Sequence, residues 1–438
     1  MNYKKLFIFA LAILSSFAVF SAQSGREIYV SIATGKNKNA GTKEAPLKNL
    51  WKAIENAAAG DVIYIAEGNY PGKMSCGWIE VTKPVTLIGG FSKDFSERDP
   101  LKHWTMLRPT NQQNATKPVM GTLTIKTKAA GPSGRTVIDG LIFDHTDANS
   151  YHAVKGKPEG FEFGMLTIPP ARGNTQLPSI DRYLVHADTD GTLVVKNCLF
   201  LNGSNYALNV NHFSGKVEIV NNCFIGNRML AAEVRSSNGK PFQVEFDFKN
   251  NTVLFTWTRT EEFSDMGYGV RANAGITSNI CGNLLGLNCM AGFDNTKGAG
   301  KDKHVTLDEN LFFLNKTADV AITFSPNIKF MKVEEDGFDD LADMEGMESV
   351  EDNVGLTDPA LLKNAIDANY LQAFLNATYT EKVNYDENSP VNQFRAALGL
   401  NKQGTIQSKV SMFANPYPFE SALKFFGAIE KYGAQAIE

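Results

Sequence analysis

Seven polar residues occupy matching places in four short apolar strands of this chain: Asn209 and Asn211, Glu233 and Arg235, Arg271 and Asn273, and Asp294. They alternate with Val210, Val234 and Ala272. Such alternation sends the polar set to one face of a sheet and the apolar set to the other. If these strands pair in parallel, the polar residues form one column with neighbours ~4.8 Å apart. Arg235 and Arg271 offer planar forks that suit a carboxylate. Glu233, with Asn209 and Asn211, offers hard oxygen ligands of the kind Ca²⁺ takes. A proton could be taken by His212, by Tyr268, or by an arginine or lysine of lowered pKa. Ala321 and Thr323 continue the column, and His212 and Lys297 lie just past their strands, where they could wall a groove.

Three functions compete for this column. The first is β-elimination on an acidic polysaccharide, with Glu233, Arg235, Arg271 and Asp294 catalytic and Asn209, Asn211, His212, Tyr268, Asn273 and Lys297 binding substrate. The second is a non-catalytic glycan-binding or surface-structural protein, with Tyr206, Tyr268, Phe213 and Phe293 stacking on sugar rings. The third is inverting glycoside hydrolysis, because Glu233 and Asp294, two strands apart, would stand ~9.6 Å apart at the backbone. The partner in the leading reading is an extended anionic polysaccharide bound by a monomer, with Ca²⁺ as the one cofactor considered. The six histidines show no metal-ligand spacing. No HExxH, GxSxG, P-loop or Rossmann pattern occurs.

What must position the column is a repeat. Apolar strand, Asn, apolar strand and a second Asn five residues on recur as Asn197/Asn202, Asn222/Asn227, Asn283/Asn288 and Asn310/Asn315, with Asn251/Thr256 between. The lead Asn returns after 25, 29, 32 and 27 residues. A unit this short cannot close its own core, so copies must stack as a solenoid. Stacked coils place each lead Asn above the last, where amides can hydrogen-bond along a ladder. Each coil parses into three strands, as in Val217–Val220, Cys223–Gly226 and Ala231–Ser236. Cys198 and Cys223, each following a lead Asn, are expected side by side in the core as small apolar residues, with a disulfide as the alternative.

The chain has 438 residues and opens MNYKKLFIFALAILSSFAVFS, the pattern of a secretory leader cleaved near Ser21–Ala22. No later stretch approaches the ~18 apolar residues of a spanning helix. The mature chain is therefore read as exported, to the periplasm, cell surface or medium. Losing Lys4 and Lys5 takes the formal charge from −4 to about −6. With no basic cluster, that balance argues against nucleic acid.

The segment GT…APLKNLWKAIENAAAGDVIYIAEGNY resembles the opening of secreted right-handed parallel β-helix proteins of the pectin-lyase-like superfamily, and the Asn-bearing coils are similar to theirs. The resemblance implies an all-β, right-handed parallel β-helix over roughly residues 27–325, with substrate lying along the third sheet. Lyases, hydrolases, epimerases, adhesins and tailspikes share that fold, so it names no reaction. The Asn, Glu and Arg types are similar to the alginate lyase and chondroitinase B branch, but no lysine sits in the column. The pectate-lyase RxPxxR and the polygalacturonase NTD, GHG and RIK signatures are absent.

Residues 22–330 are assigned to the β-helix with its N-terminal cap. The cap pairs a strand at Glu27–Ser31 with a helix able to start at Pro46, its stripe being Leu47, Leu50, Ile54 and Ala57 or Ala58. Thr136–Asp139 with Asp144 five residues on mimics the repeat, Asp replacing Asn. Residues 145–162 and 169–190 read as long loops, and Thr256–Gly267 as one wall of the groove. Residues 331–357 are expected as an acidic loop, with ten acidic and no basic residues in 333–352. Residues 358–438, partly helical and containing NSPVNQFRAALGL, read as a C-terminal cap.

Overall fold

The alternation that separates polar from apolar residues also winds the chain into stacked coils. The computed structural model describes residues 25–110, 120–146, 161–162, 165–166, 171–172, 177–178, 183–257, 266–297, 302–324, 327–333, 338–344, 346–376, 383–384, 386–402, 405–406 and 416–437. The leader, most of the two long loops, and residues 258–265 of the wall lie outside these.

Strands pair in parallel from coil to coil, as Glu27–Val30 on Val62–Ile65 and Leu199–Leu201 on Cys223–Ile225. They form one 17-stranded and one 9-stranded sheet. The architecture is an all-β parallel β-helix, as the cap and coil motifs imply. Two of the three strands expected per coil are continuous: Leu208–Val220 completes one coil and opens the next. Tyr183–Lys196 does the same, so residues 183–190 are strand rather than loop. Inside, Val217 and Ile219 are buried while Lys216 and Glu218 face out. Phe143, Phe200 and Phe224 stack along the axis at 5.0 and 4.5 Å between rings.

The amide stack runs Asn222, Asn251, Asn283, Asn310. Each Oδ1 accepts the preceding Asn backbone N–H, at 2.9, 2.9 and 3.1 Å. Asn197 is not its first member. Asn222 Oδ1 takes the N–H of Cys198 at 2.9 Å, so Cys198 is the equivalent position. Asn197 instead matches Asn221, whose Nδ2 donates to it at 2.8 Å, and reaches Asp139 at 2.9 Å. The reason is a left-handed turn one residue ahead of the stack. Gly140, Asn197, Asn221, Asn250, Gly282 and Glu309 all hold φ between 51° and 69° there, a conformation that Asn and Gly adopt most readily. Asn therefore serves two neighbouring positions and shifts the first repeat by one. Cys223 consequently pairs with Leu199 rather than Cys198, and the two cysteines are separate thiols.

Two boundaries also move. The cap helix is Leu50–Asn56, not starting at Pro46, and it buries Leu50, Ala53 and Ile54 with Leu47 and Ala57 alongside. The β-helix continues past residue 330: Val305 pairs with Met347, and Leu311 with Val354. Asn353 then extends the amide stack, taking the Asn310 N–H at 3.0 Å. Within the acidic stretch, Met347–Ser349 is thus a strand of a further coil and Asp339–Ala342 a short helix. The described residues of the last segment pack on the side of the solenoid. They lie along the 9-stranded sheet, from Trp104–Phe419 at 4.8 Å in an early coil to Phe313–Phe394 at 5.6 Å in a late one. That sheet is apolar on both faces because both are covered. No helix among the described residues is long and apolar enough to cross a membrane.

Candidate functional site

In-register pairing builds the column from alternation alone. Val210, Val234 and Ala272 point into the core. Asn209 stands beside Glu233, Glu233 beside Arg271, and Arg271 beside Asp294. Asn211 pairs with Arg235, and Asn273 with Lys297. Two residues that sequence reasoning left out join them: His186 pairs with Asn209, and Asp188 with Asn211. Their signal was present. Tyr-Leu-Val-His-Ala-Asp at 183–188 and Tyr-Ala-Leu-Asn-Val-Asn at 206–211 are one motif, with each aligned pair 23 residues apart.

The column is two rows rather than one open groove. The rim row, Asp188, Asn211, Arg235 and Asn273, meets solvent, with the Arg235 and Asp188 side chains 43% and 44% exposed. The deep row, His186, Asn209, Glu233, Arg271 and Asp294, is buried, at 4% exposure or less. Ala321 continues the deep row and is buried too.

The deep row is held by ion pairs. Arg271 Nε donates to Asp294 Oδ2, and its Nη1 lies 3.6 Å from Glu233 Oε1. Arg235 donates to Glu233 Oε2. Asn273 Nδ2 reaches Glu233 Oε1 at 3.3 Å. The Arg271 guanidinium also lies 5.4 Å over the Tyr268 ring. Burial acts to lower the Arg271 pKa, but Asp294 and Glu233 outweigh it and hold the group firmly charged. For Arg235, burial is likewise outweighed by the Glu233 hydrogen bond. Tyr206 is pushed up by burial and by the Glu233 charge.

This geometry corrects four expectations. Arg271 is not an open fork, since both its neighbours are carboxylates. Glu233 and Asp294 do not flank an empty gap for a sugar and a water, because one guanidinium fills it. Calcium does not fit Glu233, Asn209 and Asn211: Glu233 lies between two guanidinium cations, and Asn211 Nδ2 donates to Asp188 Oδ1 at 2.9 Å. Among the described residues, no cluster of three or more His, Cys, Asp or Glu is placed to hold a metal. His212 does not wall a groove. It is fully buried within its strand, with Nδ1 2.6 Å from the Thr189 hydroxyl and Nε2 donating to the Gly191 carbonyl at 3.2 Å. The side chain of Lys297 lies outside the described residues.

Burial pushes the His212 pKa below its ordinary value, against a smaller upward pull from the Gly191 carbonyl. The sign of the consequence follows. Below about pH 6.5 the unfolded chain binds a proton that folded His212 refuses, so stability is lost as the pH is lowered, by up to about 1.4 kcal/mol per unit. His212→Gln is expected to flatten that slope in denaturant midpoints measured between pH 7 and 5. An unchanged slope would mean that His212 takes the proton without unfolding.

A profile of the family described as protein of unknown function DUF1565 matches residues 33–96, the cap and first coils. No curated protein matches the chain. Among solved structures, the chain is similar to pectate lyase Pel9A at 13% identity and TM-score 0.34, covering 67% of this chain and 70% of that one. A rhamnogalacturonan lyase matches at 13% and 0.28, covering 94% and 100%. XylC in complex with xylose matches at 9% and 0.19, covering 86% and 82%. Likeness at this level adds nothing to the coil register, which defines the fold by itself.

Proposed function

We propose that this is an exported, monomeric, carbohydrate-active β-helix that binds an extended anionic glycan along the face from Asp188 to Asp294 and cleaves it by β-elimination. One observation carries the reading: a row of buried, mutually paired charges on a single face of the solenoid. Burying Glu233, Arg271 and Asp294 costs desolvation that their attraction repays only in good geometry, and apolar residues would hold the coil as well. Such a row is expected where chemistry needs it. Arg235, on the rim, is the fork available to a sugar carboxylate. Arg271 holds Glu233 and Asp294 in place behind it.

The test is absorbance of unsaturated uronate across a panel of anionic glycans, with Ca²⁺ and then with chelator. A rise on one glycan that Arg235→Ala abolishes is expected. The pairing of every deep-row charge within the protein favours a second reading, a non-catalytic glycan-binding or surface-structural β-helix. That reading is left standing if absorbance and reducing ends both stay flat.

A further inference from the structure

Among the described residues, Arg235, Arg271, His212 and Tyr268 are not placed to transfer a proton. Arg235 and Arg271 are held charged by carboxylates. Both ring nitrogens of His212 are engaged by Thr189 and Gly191. Tyr268 is buried against the Arg271 guanidinium. Among the described residues, the imidazole standing in the deep row is that of His186.

Its surroundings fix its orientation on every side. The ring stacks on Tyr183 at 5.3 Å with planes 19° apart. Nε2 lies 3.4 Å from Asp188 Oδ2. Asp188 is itself held, since Asn211 Nδ2 donates to its Oδ1 at 2.9 Å. Nδ1 lies 3.1 Å from Asn209 Oδ1. In that orientation the Asn209 Nδ2, on a side chain in a residue only 2% exposed, has no acceptor. A buried amide donor without a partner costs about 1–3 kcal/mol. Turning the amide by a half-turn exchanges its N and O, which occupy nearly the same space. Nδ2 then donates to Nδ1, and the ring carries its hydrogen on Nε2, donated to Asp188. The Nδ1 lone pair then faces Asn209 within the deep row, and Nε2 faces Asp188 on the rim.

We propose that His186 is the base of the eliminative reaction, that Asp188 is its positioning residue, and that Asn209 occupies the lone pair in the free protein. The assignment rests on the eliminative reading above and supplies the proton path which that reading lacks. A uronate would displace the Asn209 amide from Nδ1, its carboxylate meeting Arg235. Nδ1 takes the proton from the carbon next to that carboxylate. The C–H electron pair becomes the new C4–C5 double bond, and the C4–O bond breaks with its pair going to oxygen. The imidazolium, steadied by Asp188, returns the same proton to that oxygen, so no further reactant is needed.

Two measurements on the full chain test this. Imidazole nitrogen resonances of the wild type are expected to show His186 as the Nε2–H tautomer, a state that Asp188→Asn disturbs. On the glycan that the wild type cleaves, His186→Gln is expected to lower kcat about 100-fold or more, with KM near the wild-type value and an unchanged melting profile. A wild type that is active while His186→Gln retains comparable kcat overturns the His186 assignment and leaves the eliminative reading intact. An Nδ1–H tautomer in the wild type also overturns it, whatever the variant does. A wild type that releases no unsaturated product from any glycan overturns both together.

Discussion

Arg271→Met is expected to destabilise the protein by about 3–5 kcal/mol, the loss typical of removing one partner from a buried ion pair. The carboxylates of Glu233 and Asp294 are both 0% exposed. Without the guanidinium, Asp294 loses the donor at Oδ2, and Glu233 keeps only Arg235 and Asn273. The cost belongs to the stranded charge rather than to lost packing, and a second variant separates the two. Combining Arg271→Met with Glu233→Gln and Asp294→Asn leaves no charge of the deep cluster uncompensated. That triple variant is expected to recover most of the loss in urea or guanidinium midpoints. If Arg271→Met alone melted like the wild type, the three side chains would not form the buried network described.

Ending the chain before Asp358 is expected to abolish soluble, monomeric protein, not merely to fray one end. The segment from Leu362 to Ala434 packs on Leu199, Leu201, Ile225, Leu254, Leu284 and Leu311, all buried beneath it. Phe255 alone meets the rings of Tyr370, Phe374 and Tyr417 at 5.2, 5.3 and 5.5 Å. Backbone bonds tie the same segment down, Tyr417 N to Asn202 Oδ1 at 2.8 Å and Ala434 N to Thr252 Oγ1 at 2.9 Å. Removing it would bare a continuous apolar strip along most of the solenoid, far larger than a soluble monomer exposes. Size-exclusion chromatography and dye binding to exposed apolar surface would report this. A truncated chain that stayed monomeric and unfolded cooperatively would make the segment an appendage instead of one wall of the fold.

The candidate site is partly legible in the sequence. The outward set Asn209, Asn211, Glu233, Arg235, Arg271, Asn273 and Asp294 follows from period-two alternation, and it sits in register as that period requires. His186 and Asp188 were legible in the same way, through the motif they share with Asn209 and Asn211. Their strand begins at Tyr183, inside the long loop expected over residues 169–190. The cover of the 9-stranded sheet also had a trace, since Leu199-Phe-Leu201 and Leu284-Leu285 are unbroken apolar runs where a solvent-facing strand would alternate.

The stacking of coils, the in-register column and the core faces were determined by the sequence itself, because they rest on short-range periodicities that every copy of the repeat restates. Three matters were decided by tertiary structure. Which Asn enters the amide stack depends on a left-handed turn that Asn tolerates as well as Gly, so Asn197 and Asn222 look alike in one dimension and part in three. Whether the outward column meets water depends on how side chains of adjacent coils pack over it, and its deep row is buried. How Glu233, Arg235, Arg271 and Asp294 share their charges depends on side-chain reach across neighbouring coils, where a guanidinium that alternation leaves pointing outward finds two carboxylates before it finds a ligand.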